Sequence, residues 1–316
     1  MKERNILWVF LAFVLGFTLP VCACVSTCFL SVAGLGLLAE GGAPIATGPA
    51  VAVIRLNGVI SGDPGDSFST GGITPGLVEN QLARAAADPD VKAVVLRINS
   101  PGGSVVASNQ IYHMVKDFEK PVVVWMDEMA ASGGYYIACG ADYVVAHPDT
   151  LTGSIGVISQ FINADDLLNE VGVDVIVITT GPHKDTGSLF RDMTEEEQAY
   201  WQSIIDEVYD EFVGVVAEGR DLPEATVREL ADGSVYTGRQ ALELGLVDAV
   251  GLPEDAVAKA AELGGIEGEP RVIEIETFPS FLETLATYQA QPATPSFKEL
   301  LEWATTPSLE FRFAGP

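Results

Sequence analysis

Short, continuous apolar runs alternate along this chain with longer stretches of helical spacing. Residues 91–98 read as a buried strand. Their apolar run is continuous rather than alternating, as in parallel strands covered on both faces. Residues 51–55, 122–125, 143–146 and 173–179 read as further strands, and a loop over 150–158 enters another. Helical spacing marks residues 77–87, 105–118, 135–140, 222–230 and 239–244, and a long helix over 194–219. That long helix opens on Thr194-Glu195-Glu196-Glu197, a capping box. Residues 245–248 then return to the sheet. Strands alternating with helices predict an α/β domain with a mostly parallel sheet and flanking helices.

Two terminal regions break this pattern. Residues 6–38 are almost uncharged, more than the ~20 apolar residues that span a bilayer. Lys2 and Arg4 precede them and Glu40 follows, which predicts a single-pass anchor with residues 1–5 in the cytoplasm and the rest outside. A cleaved signal peptide is the rival reading, but its apolar region runs only ~7–15 residues. Val21-Cys22-Ala23-Cys24 loosely resembles a lipoprotein cleavage site, with Cys24 falling mid-span. Residues 39–50 form a small-residue linker to a domain over 51–269. From 270 to 316 the chain carries a short β run and then Pro279, Pro292, Pro295 and Pro307, interrupted by an amphipathic stretch over 297–303. This reads as an appended arm.

Composition narrows the partners. With 17 Lys+Arg against 44 Asp+Glu and a net charge of −27, the chain lacks the basic patches that nucleic acid rewards. Acid spread along the chain reads as a solvated surface suited to high salt, where screening weakens self-repulsion. Of four cysteines, Cys22, Cys24 and Cys28 lie in the anchor, so no disulfide framework is implied. His113, His147 and His183 are scattered, and neither a metal site nor a cofactor is expected.

The candidate chemistry sits at strand ends. Met129-Ala130-Ala131-Ser132-Gly133-Gly134 puts a serine where a strand gives way to a helix. A serine hydroxyl needs a base to take its proton and N–H donors to hold the oxyanion. Gly133 can present its N–H with no side chain in the way, and the Gly102-Gly103 turn at an adjacent strand end supplies a partner donor. Such turns also serve plain packing. The ester-hydrolase elbow Gly-x-Ser-x-Gly is not met, because Ala130 stands at its first glycine. The base could be a histidine, a lysine or a carboxylate relay. None of the three histidines has an evident acidic orienter. Lys184 is more attractive, since it follows an apolar strand in a Gly-Pro turn. A lysine base must be neutral, which needs desolvation, while the adjacent Asp185 pushes the other way. Ser154, in Thr152-Gly153-Ser154-Ile155-Gly156, could be the nucleophile instead, or a hydroxyl that orients the lysine amine.

Five motifs in order carry a resemblance: Asn99-Ser100-Pro101-Gly102-Gly103, Met129 to Tyr136, Leu151 to Val157, Gly181-Pro182-His183-Lys184-Asp185 and Val235 to Ala241. Over about residues 51–265 the chain resembles the signal peptide peptidase SppA (protease IV) family of membrane-bound serine peptidases, in its short form with one catalytic domain. The resemblance implies a ClpP/crotonase-like fold. It implies Ser132 as nucleophile, Lys184 as general base, the N–H groups of Gly103 and Gly133 as oxyanion hole, and Ser154 as a partner of the lysine. It implies a homo-oligomeric ring in which one protomer brings the serine and its neighbour the lysine. It implies peptide substrates, chiefly cleaved signal peptides. ClpP peptidases use a histidine that would fall near Val157 here, so the chain departs from them and agrees with the dyad.

Two other classes remain in view. A crotonase-like acyl-CoA enzyme would use the same glycine turns to polarise a thioester, but leaves Lys184 idle; tight CoA binding would reveal it. A catalytically silent membrane scaffold would resist a serine-directed acylating probe.

Overall fold

A computed structural model of the chain describes residues 48–62, 72–275 and 309–313. The expected anchor over 6–38 and the amphipathic stretch over 297–303 lie outside the described residues. Among the described residues no helix is long and apolar enough to cross a membrane.

The sheet is built first from β1 (Ala50–Asn57) and β2 (Val91–Ser100), paired in parallel, Val53 opposite Val95. The helix between them, α1 (Pro75–Ala87), starts on a Thr74 cap whose Oγ1 accepts from the Leu77 N–H at 3.3 Å, with proline at the first helical position. A three-residue strand β3 (Gly102–Ser104) then bends into α2 (Val105–Lys116). The next strand, β4 (Val122–Ala131), is longer than its apolar core suggested, because it serves two partners in succession. Val123–Met126 pairs with β5 (Tyr143–Ala146), and Met129–Ala131 pairs with β6 (Leu151–Gly153), both in parallel. Between β4 and β5 lies the short helix α3 (Gly133–Ala138).

Beyond β6 come α4 (Asp165–Glu170), the long α5 (Glu195–Arg220), α6 (Glu224–Leu230), β7 (Val235–Thr237), α7 (Gly238–Glu243), β8 (Ala249–Val250) and α8 (Pro253–Leu263). The capping box read at Thr194 is made: Thr194 Oγ1 accepts from the Glu197 N–H and the Glu197 carboxylate accepts from the Thr194 N–H. The main sheet runs β7-β6-β4-β2-β1-β9, the last being residues Arg271–Glu274, with β5 on β4 and β8 on β5. Among the described residues only β7 is antiparallel in it. The mixed α/β, mostly parallel architecture expected from the alternation of elements is present.

Both faces of that sheet are covered, which is why the central runs of β2 (residues 93–96) and β4 (residues 122–126) are continuously apolar. Ile54, Leu96, Ile98, Val124 and Met126 pack against α1, α2, α3 and Phe212 of α5 on one side. Val51, Val95, Val123, Trp125 and Val145 pack against Ala256 and Ala260 of α8 on the other. Burial at about 25 cal/mol per Å² makes these two clusters the main favourable term in folding.

Two features differ from the sequence reading. Residues 173–179 form no strand. They run as an irregular extended segment whose apolar side chains face solvent, with Ile176 86% and Ile178 92% exposed. A strand needs a ladder partner, and the described residues supply none there. The arm beyond 270 also returns to the domain twice. Its first strand, β9 (Arg271–Glu274), extends the main sheet beside β1, and β10 (Glu310–Arg312) pairs antiparallel with β3.

Candidate active site

Ser132 lies at the turn from β4 into α3, with φ 53° and ψ −115°. A β-carbon makes such backbone angles costly, about 1–3 kcal/mol, so the surrounding bonds must hold them. They do. The Ser132 N–H donates to the Gly153 carbonyl at 2.8 Å, and its own carbonyl accepts from the Tyr136 N–H at 2.8 Å. Its side chain makes no helix-capping hydrogen bond. The residue is almost fully buried.

The glycines of the two turns meet beside it. A β-carbon on Gly102 would stand 2.7 Å from the Gly133 nitrogen, and one on Gly133 would stand 3.2 Å from the Gly102 α-carbon. A β-carbon on Gly103 would lie 2.8 Å from the Ile60 nitrogen. Gly102 and Gly103 also have φ 97° and 155°, and Ser100 Oγ accepts from the Gly102 N–H at 3.1 Å. Only glycine permits this approach. The ladder between Ser100 and Ala130 sets the two turns in register. Ser154 follows Gly153 at the end of β6, buried, with φ 49°, its N–H donating to the Ser234 carbonyl at 2.8 Å. Ser132, Gly133, Gly102, Gly103 and Ser154 thus gather at adjoining strand ends.

The third wall comes from the C-terminal residues. Phe311 of β10 is fully buried and stacks on Tyr136 with centroids 5.0 Å apart, its ring also 4.6 Å from Phe212. Glu310 exchanges backbone bonds of 3.1 Å with Ile158 in both directions, and the Phe313 N–H donates to the Pro101 carbonyl at 2.8 Å. A β-carbon on Gly133 would stand 3.1 Å from the Phe311 carbonyl oxygen. Strand β10 therefore lies between the Gly102-Gly103 turn and the loop after β6. Sequence reasoning missed it, because three residues carry no periodicity.

Lys184 is placed differently. It sits on an exposed turn after residues 173–179, its N–H donating to the Gly181 carbonyl at 3.2 Å. Its ammonium enters none of the ion pairs of that turn. The turn itself is anchored by Arg191, which the sequence reading did not single out. The Arg191 guanidinium forks onto Asp185, Nε to Oδ2 and Nη2 to Oδ1, both at 2.9 Å. It also donates to both carboxylate oxygens of Glu197, at 2.6 and 2.8 Å. Glu197 is 3% exposed and takes a further bond from Thr186 Oγ1 at 2.8 Å. Hydrogen bonds from Arg191 and from the Thr194 N–H hold its carboxyl well below the usual carboxylate range. Arg191 likewise lowers Asp185. The capping glutamate thus has a second role, for which an arginine just upstream of a capping box is the sequence signal.

Comparison with known proteins bears on the family of the chain. The model of peptidase family S49 matches residues 115–267, and that of Clp protease matches residues 73–152. A protein of Synechocystis that carries a provisional protease name is 46% identical over 187 residues, 58% of this chain and 67% of that one. Protease 4 of Salmonella typhi is 41% identical over 227 residues, 71% of this chain and 36% of that one. An Enterococcus faecium protein named for signal peptide peptidase SppA is 41% identical over 209 residues, 65% of this chain and 60% of that one. The chain thus spans about two thirds of the Synechocystis protein and about a third of protease 4. On these matches the chain belongs to peptidase family S49, and it is a serine peptidase of the SppA and protease 4 kind.

Proposed function

We propose that this chain is a membrane-anchored serine endopeptidase whose nucleophile is Ser132 and whose general base is Lys184. In this reading the Lys184 amine takes the proton of Ser132 Oγ as that oxygen bonds to the scissile carbonyl carbon. The oxyanion is held by the N–H groups of Gly103 and Gly133. The protonated lysine gives its proton to the leaving amine, which leaves an acyl-enzyme. Lys184, neutral again, removes a proton from the water that releases the acyl group. Ser154 orients the amine. The observation that carries the reading is the forced left-handed backbone at Ser132 beside glycines that tolerate no β-carbon.

Lys184 is exposed in the single chain. Assembly supplies what is missing. In a homo-oligomeric ring, the exposed apolar segment before Lys184 packs on a neighbouring protomer and brings the lysine to that protomer's Ser132. Substrates are peptides, and signal peptides left in the membrane suit an anchor over 6–38 with the catalytic domain on the extracytoplasmic side.

Acylation of Ser132 by a serine-directed probe, located by mass spectrometry, tests the dyad. Wild type should be labelled at Ser132. Ser132→Ala and Lys184→Ala should each lower peptide hydrolysis by at least about 10³-fold while remaining folded. Full activity in either variant would refute the dyad.

A further inference from the structure

We propose that Arg191 is a positioning residue for the Lys184 base: it binds the carboxylate of Asp185 so that the neighbouring amine can lose its proton. The inference rests on the dyad reading above and deepens it. Asp185 directly follows the lysine, in a chain of net charge −27. A free carboxylate within reach of an ammonium favours its charged form and raises its pKa. A base lysine needs the opposite.

In the structure that carboxylate is taken up by another group. Both oxygens of Asp185 accept from Arg191, in the planar two-bond geometry that suits arginine and that lysine cannot reproduce. Arg191 also reaches the Asp185 carbonyl at 3.3 Å and the Asp192 carbonyl at 2.9 Å, so it closes the whole turn. Glu197 of α5 holds the guanidinium from the other side and is itself fixed by Thr186 and Thr194.

The remaining charged groups about the turn are engaged or remote from this pairing. The His183 ring stacks on Tyr200 of α5, centroids 5.9 Å apart. The Asp192 carboxylate accepts from Asn163 Nδ2 at 2.5 Å. Glu195 and Glu196 point into solvent from the first turn of α5. Asp185 is therefore the carboxylate whose release would matter most to Lys184, and Arg191 is the group that prevents it.

The test is the pH dependence of kcat/KM for peptide hydrolysis by the full chain. Arg191→Gln should move the rising limb, where the lysine loses its proton, upward by about one pH unit, a loss of about tenfold below the limb. Asp185→Asn should not move it upward. Arg191→Gln combined with Asp185→Asn should bring the limb back, because no carboxylate is left to release. Arg191→Lys keeps the charge without the fork and should shift the limb less, in the same direction. If Arg191→Gln does not fold, Arg191→Lys with and without Asp185→Asn makes the same comparison. An unmoved limb in the arginine variants would overturn the proposal. So would a double variant displaced as far as the single one, since a merely structural clamp predicts that. Substantial activity in Lys184→Ala would instead mean that the dyad reading itself has failed.

Discussion

Three glycines let two strand ends close around Ser132, and each stands where a β-carbon would collide with a neighbouring atom. Gly133 stands where a β-carbon would lie 2.5 Å from Ser108 Oγ, and Gly102 where one would lie 2.7 Å from the Gly133 nitrogen. The motif strings predicted glycine turns at strand ends. They could not show that the turns touch, because that contact depends on the ladder between Ser100 and Ala130. One further residue is set apart by its surroundings. Cys139, just after α3, is fully enclosed, and burial pushes its thiol up to about 12. Iodoacetamide at pH 8 should leave Cys139 unmodified in the native protein and modify it on unfolding in urea, as read by peptide mass spectrometry. Rapid native labelling there would show that α3 opens easily.

Among the elements, α5 was the most legible, because its apolar spacing is long and its cap is written in four residues. Its first turn also carries a pH dependence. Asp185 and Glu197 have folded pKa values below their ordinary 3.8 and 4.5. A depressed carboxylate contributes stability that is complete above the unfolded value and is lost as pH falls through the folded one. The Arg191 clamp should therefore hold at neutral pH and release as pH falls below about 4. Amide exchange at Ser188 and Glu197 should quicken over that range before the central strands β2 and β4 do, and simultaneous loss would contradict a local release. Residues 173–179 were read as a strand because their composition is that of one. The missing ingredient is a partner, which no local pattern can report. The reverse holds for β10, whose three residues have no strand signature and pair only because β3 offers an edge. Phe311 is its anchor. Phe311→Ala should cost about 3–5 kcal/mol of local stability, seen as lost exchange protection at the Glu310 and Phe313 amides with the main sheet unchanged. Retained protection would show that the ladder alone holds the strand.

At the scale of the whole molecule, the single chain gathers part of the proposed site. Ser132, Gly133, Gly103 and Ser154 lie together and buried, while Lys184 stands on a solvated turn behind an apolar segment with no partner. Two buried sheet faces followed from the continuous apolar runs, so the scaffold was readable. A division of the site between chains came only as an implication of the family resemblance, because a sequence names residues without saying which copy they serve. In the proposed enzyme the Ser132 of one protomer works with the Lys184 of another. Co-assembly of Ser132→Ala with Lys184→Ala, each inactive alone, tests it directly by peptide hydrolysis. In a mixed ring some sites pair an intact serine with an intact lysine, so the account predicts that activity returns to a sizeable fraction of wild type. No recovery in rings shown by mass to contain both variants would contradict it.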